Sequence, residues 1–424
     1  MLTLKILREQ PEFVIERLAV KNFDASQIVK DILEADAQRR AAQTKLDATL
    51  AEQNQKAKEI GMLMKQGNKE EAENAKKIVA ELKEQSKQLE AQMEEHNKAM
   101  NDLLVLLPNL PSSMVPEGKT AEDNVVVREG GVKTALPENA KPHWELAKSL
   151  DIIDFDLGVK LTGAGFPVYK DKGAKIQRAL ISFFLDRNTK AGYMEVQPPL
   201  VVNEASAYAT GQLPDKEGQM YHVGLDNFYM IPTAEVPVTN IYRDCIVNKA
   251  DFPIKMTAYT QCFRREAGSY GKDVRGLNRL HQFDKVEIVQ LSLPENSYEA
   301  LDGMVKHVES IIKELELPYR ILRLCGGDMS FTSALTYDFE VYSEAQQRWL
   351  EVSSVSNFES FQANRMKLRY KDDEGKTQLA HTLNGSSLAL PRILAALIEN
   401  HQDENGRIHI PAALREYTGF EWID

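Results

Sequence analysis

The sequence predicts an α+β chain in two parts: an N-terminal antiparallel helical hairpin of coiled-coil type, then a domain built on a mostly antiparallel sheet. Three observations carry this. Within the first 104 residues, two long runs of positions step by alternating fours and threes. The stretch VLLPNLPSSMVPEG at 105–118 then ends the helical pattern with Pro108, Pro111 and Pro116. Beyond it, strand-like and helical segments alternate irregularly to the C-terminus, with no internal repeat. The expected organisation is a cap and helical arm over 1–104, a linker over 105–118 and a second domain over 119–424.

Residues 1–27 read as a short helical cap, with Pro11 near a helix start and Phe13, Val14 and Leu18 on one side. The first heptad seam runs through Ile28, Ile32, Ala35, Arg39, Ala42, Leu46, Thr49 or Leu50, Gln53, Lys56 or Ala57, and Ile60. A break is expected around Gly61 to Asn68. The second run takes Ile78, Leu82, Gln85, Leu89, Met93, His96, Met100 and Leu103. At 1.5 Å per residue, helices of roughly 35 residues extend about 50 Å, more than a compact domain needs. Residues 28–104 carry 13 basic and 15 acidic side chains, so the arm is not a basic rod. A charge-mixed hairpin of this kind serves as a spacer, a dimerisation element or an RNA-binding arm.

The net charge of −11 counts against a general nucleic-acid binder unless positive charge is concentrated locally. The N-terminus has no apolar signal region, and no window is long and apolar enough to span a membrane, which points to a soluble cytoplasmic protein. Cys245, Cys262 and Cys325 are widely spaced and lack a C-x-x-C pair, as expected of reduced, buried thiols. No G-x-x-x-x-G-K-[ST] and no dinucleotide fingerprint occurs, so a nucleotide would have to be held without a P-loop.

The stretch MTAYTQCFRREAGSYGKDVRGLNRLHQFDKVEIV, residues 256–289, is the richest in chemistry. Period-two alternation marks strands at Met256–Cys262 and Phe283–Val289, with Gly268, Gly271 and Gly276 suited to the turn between them. Arg264 continues the face of Met256, Ala258, Thr260 and Cys262, where its rigid fork suits bidentate capture of a phosphate or carboxylate. Glu287 on the returning strand suits an ammonium or hydroxyl. On the hairpin alone, a solvated cross-strand ion pair reads equally well.

Four further segments draw attention. Residues 175–200 read as an amphipathic helix followed by a strand closed by Pro198 and Pro199. IPTAEVPVTN sets Thr233 just before a helix with Glu235 in its first turn, which is an ordinary cap or a preorganised polar loop. WLEVSSVSNFESFQANR, at 349–365, places Glu351 in a strand between Leu350 and Val352. HTLNGSSLALPRILAALIEN reads as a strand leading into a buried helix, in which Arg392 is the anomaly.

Together these segments resemble the class II aminoacyl-tRNA synthetases: 175–200 is similar to motif 1, FRRE with HQFDKVE to motif 2, and the last segment to motif 3. The wording is closest to the seryl enzymes of bacterial type, which the chain resembles along essentially its whole length. That resemblance implies a class II catalytic domain, ATP and Mg²⁺ as cofactors, L-serine and tRNA(Ser) as substrates, and a homodimer built through motif 1. It implies a coiled-coil arm that grips the long variable arm of the tRNA, chiefly by shape and backbone, and serylation of tRNA(Sec) where that RNA is present. ATP contacts would come from Arg264, Arg265, Glu266, Leu280, Phe283, Glu351, Val352, Ser353, Ser354 and Arg392. Within that set Arg264 meets the α-phosphate, Arg392 the γ-phosphate and Phe283 the adenine, making Arg264 and Arg392 the catalytic pair. Glu351 and Ser354 would hold Mg²⁺, a chemically sound site when phosphate oxygens complete it. Serine would be enclosed by Thr233, Ala234, Glu235, Arg264, Glu287, Asn384 and Ser386. The sequence departs from the family pattern at Asn364, Ser387 and Pro391, none of which removes a ligand-bearing side chain. Two rivals stand beside this reading: a class II ligase of other specificity, and a non-catalytic RNA-binding paralogue.

Overall fold

The structure, a computed structural model, describes residues 1–133, 135–266 and 275–424. Gly268 and Gly271, expected in the motif 2 turn, lie outside the described residues. The chain divides into two units: Leu2–Ala19 with Phe23–Pro108, and Met1, Val20–Asn22 and Asn109–Asp424. The proline-rich stretch expected as a linker is largely tied into the larger unit. Asn109 N–H donates to the Phe331 carbonyl at 2.9 Å, Ser112 N–H donates to Ala334 at 2.8 Å, and Val115 joins the main core.

The larger unit is organised on one sheet of eight strands: β1 (Val125–Gly130), β2 (Met194–Glu195), β3 (Ile254–Phe263), β4 (Gln282–Ser292), β5 (Tyr319–Arg323), β6 (Leu335–Ser343), β7 (Arg348–Asn357) and β8 (His381–Ala389). Their spatial order is β1-β5-β6-β7-β8-β4-β3-β2. Every pairing is antiparallel except β2 on β3, where Met194 stands opposite Met256 and Glu195 opposite Thr257. The motif 1 strand expected over 193–199 is only these two residues, with one more hydrogen bond to β3, from Val196 N–H to the Thr257 carbonyl at 2.8 Å.

Alternation along the strands divides apolar from polar side chains. Val286, Ile288, Phe339, Val355 and Leu383 point to one face, where the helices Asp171–Lys190, Ser297–Glu314 and Leu390–Asn400 cover them. The helices answer with Ile176, Leu180, Phe183, Val308, Ile312, Ile393 and Leu397 at helical spacing, all but fully buried. Pro391 lies in the first turn of its helix, where a missing N–H leaves no hydrogen bond unmade. On the opposite face, the helix Glu235–Asn240 packs Val238 near Met256, Ala258, Val289 and Leu291. The rest of that face is polar and carries the site described below.

The smaller unit is the helical one. Its two long helices, Ser26–Gln66 and Lys69–Leu104, run about 61 Å and 54 Å at 1.5 Å per residue. The break expected around Gly61 to Asn68 falls at the far end of that stretch, not at Gly61 itself. A lone glycine costs a helix interior only about 1 kcal/mol, and the helix continues five residues further. It stops at Gly67, whose φ of +82° is left-handed; Asn68 N–H donates back to Leu63 at 3.0 Å and Gly67 N–H to Met64 at 3.3 Å, closing the turn in two residues. The buried seam differs locally from the heptad reading: Val29, Ser86 and Leu104 are inside in place of Ile28, Gln85 and Leu103. A helix of 3.6 residues per turn drifts against a strict period of 3.5. In the cap, Leu7, Val14 and Leu18 are buried, while Phe13 is 44% exposed because it sits off the stripe joining Val14 to Leu18.

One charge is buried in this unit. The Asp36 carboxylate receives Arg8 through Nε at 2.8 Å and Nη2 at 2.6 Å, Arg39 at 3.1 Å and Arg40 at 3.0 Å. The Arg8 hydrogen bonds hold its pKa down at about 2, against the opposing effect of burial. A depressed pKa contributes stability above the ordinary value of 3.8 and loses it as pH falls towards 2. Asp36→Asn is expected to destabilise the helical unit at pH 7 by about 1–3 kcal/mol, less than a fully buried pair because the guanidiniums reach solvent. Chemical denaturation followed by circular dichroism should find parent and variant converging at pH 2. An equal gap at both pH values would assign the effect to packing instead.

Candidate active site

Strand register collects the polar side chains on one face. Between β3 and β4, Cys262 stands opposite Phe283, Thr260 opposite Lys285 and Ala258 opposite Glu287. Between β4 and β8, Glu287 stands opposite Ser386 and Val289 opposite Asn384, and Asn384 in turn faces Ser356 of β7. Residues directly opposite share a face, so Phe283, Lys285, Glu287, Asn384 and Ser386 line one surface. The segment with Thr233 is laid against the end of β3: Phe263 N–H donates to the Ile231 carbonyl at 2.9 Å, and Arg264 Nε to the Pro232 carbonyl at 3.3 Å.

This brings three charges into a buried cluster. Lys285 Nζ lies 2.6 Å from Glu287 Oε2, with the two side chains 7% and 3% exposed. The same ammonium donates to Thr233 Oγ1 at 2.8 Å, and the Thr233 hydroxyl lies 3.4 Å from Glu287 Oε2. Thr233 Oγ1 also accepts the Glu235 backbone N–H at 3.2 Å, the first free donor of the helix. Glu235 Oε1 accepts from Gln362 Nε2 at 2.6 Å, and Gln362 is itself held by the Thr382 hydroxyl at 2.6 Å. Burial first, then the charge of Glu287, pushes the Glu235 pKa up to about 7. Asn384 lies beside Glu235, its buried amide nitrogen short of hydrogen-bond geometry with any described residue. An ammonium paired with Glu287, beside the second carboxyl group of Glu235, forms a cluster whose acceptors suit a further ammonium or a small hydroxyl.

Next to this pocket the Arg264 guanidinium lies 5.3 Å from the centroid of the Phe283 ring, over a half-buried aromatic surface. Arg265 is exposed, with its N–H tied to the Gln219 carbonyl at 2.8 Å, and Glu266 accepts from Arg279 at 2.5 Å. Leu280 is buried in the main core.

On β7, Glu351 and Ser354 are three residues apart, a spacing that points opposite ways in a regular strand. The ladder with β6 shifts between them: Ser353 pairs with Phe339 but Glu351 pairs with Glu340, leaving Val352 as an extra residue. This bulge returns Glu351 to the face of Ser354 and sends Val352 into the core. The Ser354 hydroxyl donates to buried Asp338, whose pKa is raised well above the carboxylate range by burial and then by Glu351. Arg392 reaches the same place from its helix, donating through Nη1 to the Glu351 carbonyl at 2.8 Å and lying 3.7 Å from its carboxylate. Glu351, Ser354 and Asp338 are oxygen donors of the kind a hard divalent cation takes.

Residues 1–111 match the seryl-tRNA synthetase N-terminal domain, and residues 221–401 match the class II tRNA synthetase core domain (G, H, P, S and T). The chain is 49% identical to the serine–tRNA ligase of Salinibacter ruber over all of its own length and 99% of that protein. The chain belongs to the seryl-tRNA synthetase family. A second relative, the serine–tRNA ligase of Akkermansia muciniphila, is 47% identical with the same coverage. Among solved structures, the seryl-tRNA synthetase of Pyrococcus horikoshii complexed with ATP superposes with a TM-score of 0.93 at 33% identity, covering 100% of this chain and 99% of that one.

Within the span matched to the family's core lie all the residues singled out above from Thr233 to Arg392. The structure brings Thr233, Glu235, Glu287, Asn384 and Ser386 into one buried cluster, and Glu351, Ser354 and Arg392 onto another part of the same face. Ala234 is fully buried, Val352 turns into the core, and Ser353 donates its hydroxyl to the Ser386 carbonyl at 2.5 Å. Any contact of Leu280, Val352 or Ser353 with a ligand would therefore use backbone. Sequence reasoning missed Lys285, Gln362 and Asp338. The alternation that assigned Glu287 to the face of Phe283 also places Lys285 there, so that signal was present.

The raised pKa of Glu235 has a consequence for stability. Its folded-state value lies above the ordinary 4.5, so the associated stability is fully present below 4.5 and is lost as pH rises through 7. Glu235→Gln is expected to be more stable than the parent at pH 8 by about 1–3 kcal/mol and to converge with it near pH 4. Calorimetry at the two pH values checks this, and a shift of the same size at both would remove charge burial as the cause.

Proposed function

We propose that the chain joins L-serine to tRNA(Ser) in two steps on the polar face of its sheet. As a member of the seryl-tRNA synthetase family it is a class II ligase that serylates tRNA. The buried cluster of Lys285, Glu287, Thr233 and Glu235 carries the assignment of the amino-acid pocket. Its paired carboxylates receive the substrate ammonium, while Thr233, Asn384 and Ser386 offer hydrogen bonds to the hydroxyl. A site built to bond a hydroxyl leaves its own groups unpaired with alanine and rejects it.

In the first step a serine carboxylate oxygen bonds to the α-phosphorus of ATP while the bond to the pyrophosphate oxygen breaks. The carboxylate is already nucleophilic, so the protein's work is positioning and charge stabilisation. Arg264 stands over Phe283 at the pocket edge, the place for an α-phosphate beside a stacked adenine; Arg392 serves the γ-phosphate. Glu351 and Ser354 would hold Mg²⁺, which neutralises phosphate charge when bound. In the second step a terminal ribose hydroxyl of the tRNA attacks the seryl carbonyl and AMP leaves.

The helical unit serves as the tRNA-binding arm, with the domain boundary at the proline-rich stretch. The protein works in the cytoplasm as a homodimer through the helix Asp171–Lys190 and strand β2, and it also serylates tRNA(Sec) where that RNA occurs. Among the described residues, no helix is long and apolar enough to cross a membrane.

Arg264→Ala is expected to lower serine-dependent pyrophosphate exchange by about a hundredfold or more with the fold intact. Lysine there should restore only part, lacking the fork. Near-parental exchange by the alanine variant would remove Arg264 from the α-phosphate. Replacing residues 29–103 by a short flexible linker should leave exchange unchanged and reduce tRNA charging at least about tenfold, since backbone contacts to the RNA go with the arm. Equal charging by the shortened protein would make the arm a spacer.

A further inference from the structure

His143 and Glu399 form a pair whose side chains are completely buried, away from the residues assigned to substrates. His143 begins the helix His143–Ser149, and Glu399 lies near the end of the helix Leu390–Asn400 that carries Arg392. Glu399 Oε1 takes the His143 backbone N–H at 2.8 Å and Nδ1 at 2.6 Å. At the other side of the ring, Nε2 lies 2.8 Å from the backbone nitrogen of Leu277. A backbone N–H can only donate, so Nε2 is an acceptor and the ring's single proton sits on Nδ1, facing the carboxylate. The imidazole is neutral, with its tautomer set from both sides.

Leu277 stands at the end of the motif 2 loop, where the chain re-enters the sheet at Gln282. The next residue is fastened as well. The Asn278 carbonyl accepts Arg392 Nε at 2.9 Å, and its amide donates to Gln346 Oε1 at 3.0 Å. Gln346 in turn donates to both oxygens of Glu399, at 3.0 and 3.1 Å. Arg392 and Glu399 are seven residues apart on one helix, about two turns, and so lie on the same side of it. The loop end crosses that side, pinned to Glu399 through His143 and Gln346 and to Arg392 directly. Gly276 fits against the ring only because it has no side chain: a Cβ there would lie 2.1 Å from His143 Nε2.

Two jobs of His143 can be separated. Its Nδ1–H donates a hydrogen bond to a carboxylate that burial disfavours, and any N–H donor of similar reach would do that. Glu399 also receives Ser343 and Gln346, and these bonds together with His143 outweigh burial and keep its pKa below the ordinary value. The Nε2 lone pair, by contrast, serves only Leu277 among the described residues. Without it a buried backbone N–H at the loop end goes unpaired, and the Asn278 carbonyl that steers Arg392 loses its fixed neighbour.

We propose that His143 is a positioning residue for adenylate formation: its Nε2 acceptor fixes the end of the motif 2 loop and, through the Asn278 carbonyl, the guanidinium of Arg392. The inference rests on the reading of Arg392 as a phosphate ligand given above. Two substitutions divide the ring's functions. His143→Asn can still donate to Glu399 but is too short to reach Leu277, whereas His143→Gln extends a carbonyl oxygen to where Nε2 accepts.

Serine-dependent pyrophosphate exchange, with KM for ATP and for serine measured separately, is combined with thermal unfolding of each full-length protein. The asparagine variant should lose about tenfold in kcat/KM for ATP, as expected for one buried hydrogen bond, with KM for serine nearly unchanged. The glutamine variant, with an equal loss of Tm, should recover most of that activity. If the two variants behave alike, or if the asparagine variant matches the parent, the proposal is overturned. Should neither fold, Gly276→Ala approaches the same contact from the loop: a raised KM for ATP at unchanged KM for serine supports the role, and a parental KM for ATP overturns it. A parent protein without serine-dependent exchange would instead overturn the functional reading itself.

Discussion

Glu235, Glu287 and Lys285 bring three ionisable groups to the floor of one sheet face, and a charge removed from water must find its partners in the protein. Much of the surrounding architecture serves that need. Thr233 divides its hydroxyl between the ammonium and the helix start, and Gln362 is clamped by Thr382 so that its amide meets Glu235. These groups hold their geometry because the opposite face of the same strands is packed by three helices into a continuous apolar core. A floor that could flex would let water in and the charges would relax. Two carboxyl groups stand to one lysine in the cluster, which is the imbalance that the proposed cationic substrate would complete.

Seen this way, the acidity of the whole protein and the chemistry of its site are separate matters. The net charge argued mildly against an RNA partner, yet the two cations proposed to meet phosphate are placed singly: Arg264 over an aromatic ring and Arg392 against a backbone carbonyl. Preorganised cations in partly buried positions act far more strongly than a diffuse surface excess.

Much of the architecture was legible because it follows from period. Two runs near a 3.5-residue repeat marked the arm, and two alternating runs marked β3 and β4 within a few residues. What was not legible depends on departures from period. Glu351 and Ser354 have a spacing that a regular strand points to opposite faces, and only the family resemblance joined them; the bulge at Val352 is the physical reason they meet. Asp338 was missed because its significance lies in a neighbouring strand, opposite Ser354, and nothing local in its own segment distinguishes it. Lys285 was not singled out in the sequence, although its side chain is only 7% exposed. Arg39 was assigned to a heptad seam, while its guanidinium reaches Asp36.

The turn at Gly67 and Asn68 joins the two long helices with no spare residues. A longer loop would act as slack, absorbing a residue gained or lost on one side only. Here an insertion in one helix has nowhere to go: it would slide every apolar contact beyond it out of step with the opposite helix. The arm can therefore lengthen or shorten only by matched changes in both strands of the hairpin, in steps close to a heptad, so that its reach is quantised at about 10 Å per step. The turn acts as a ruler's fixed zero, and the distance the arm can measure on a partner changes by whole divisions.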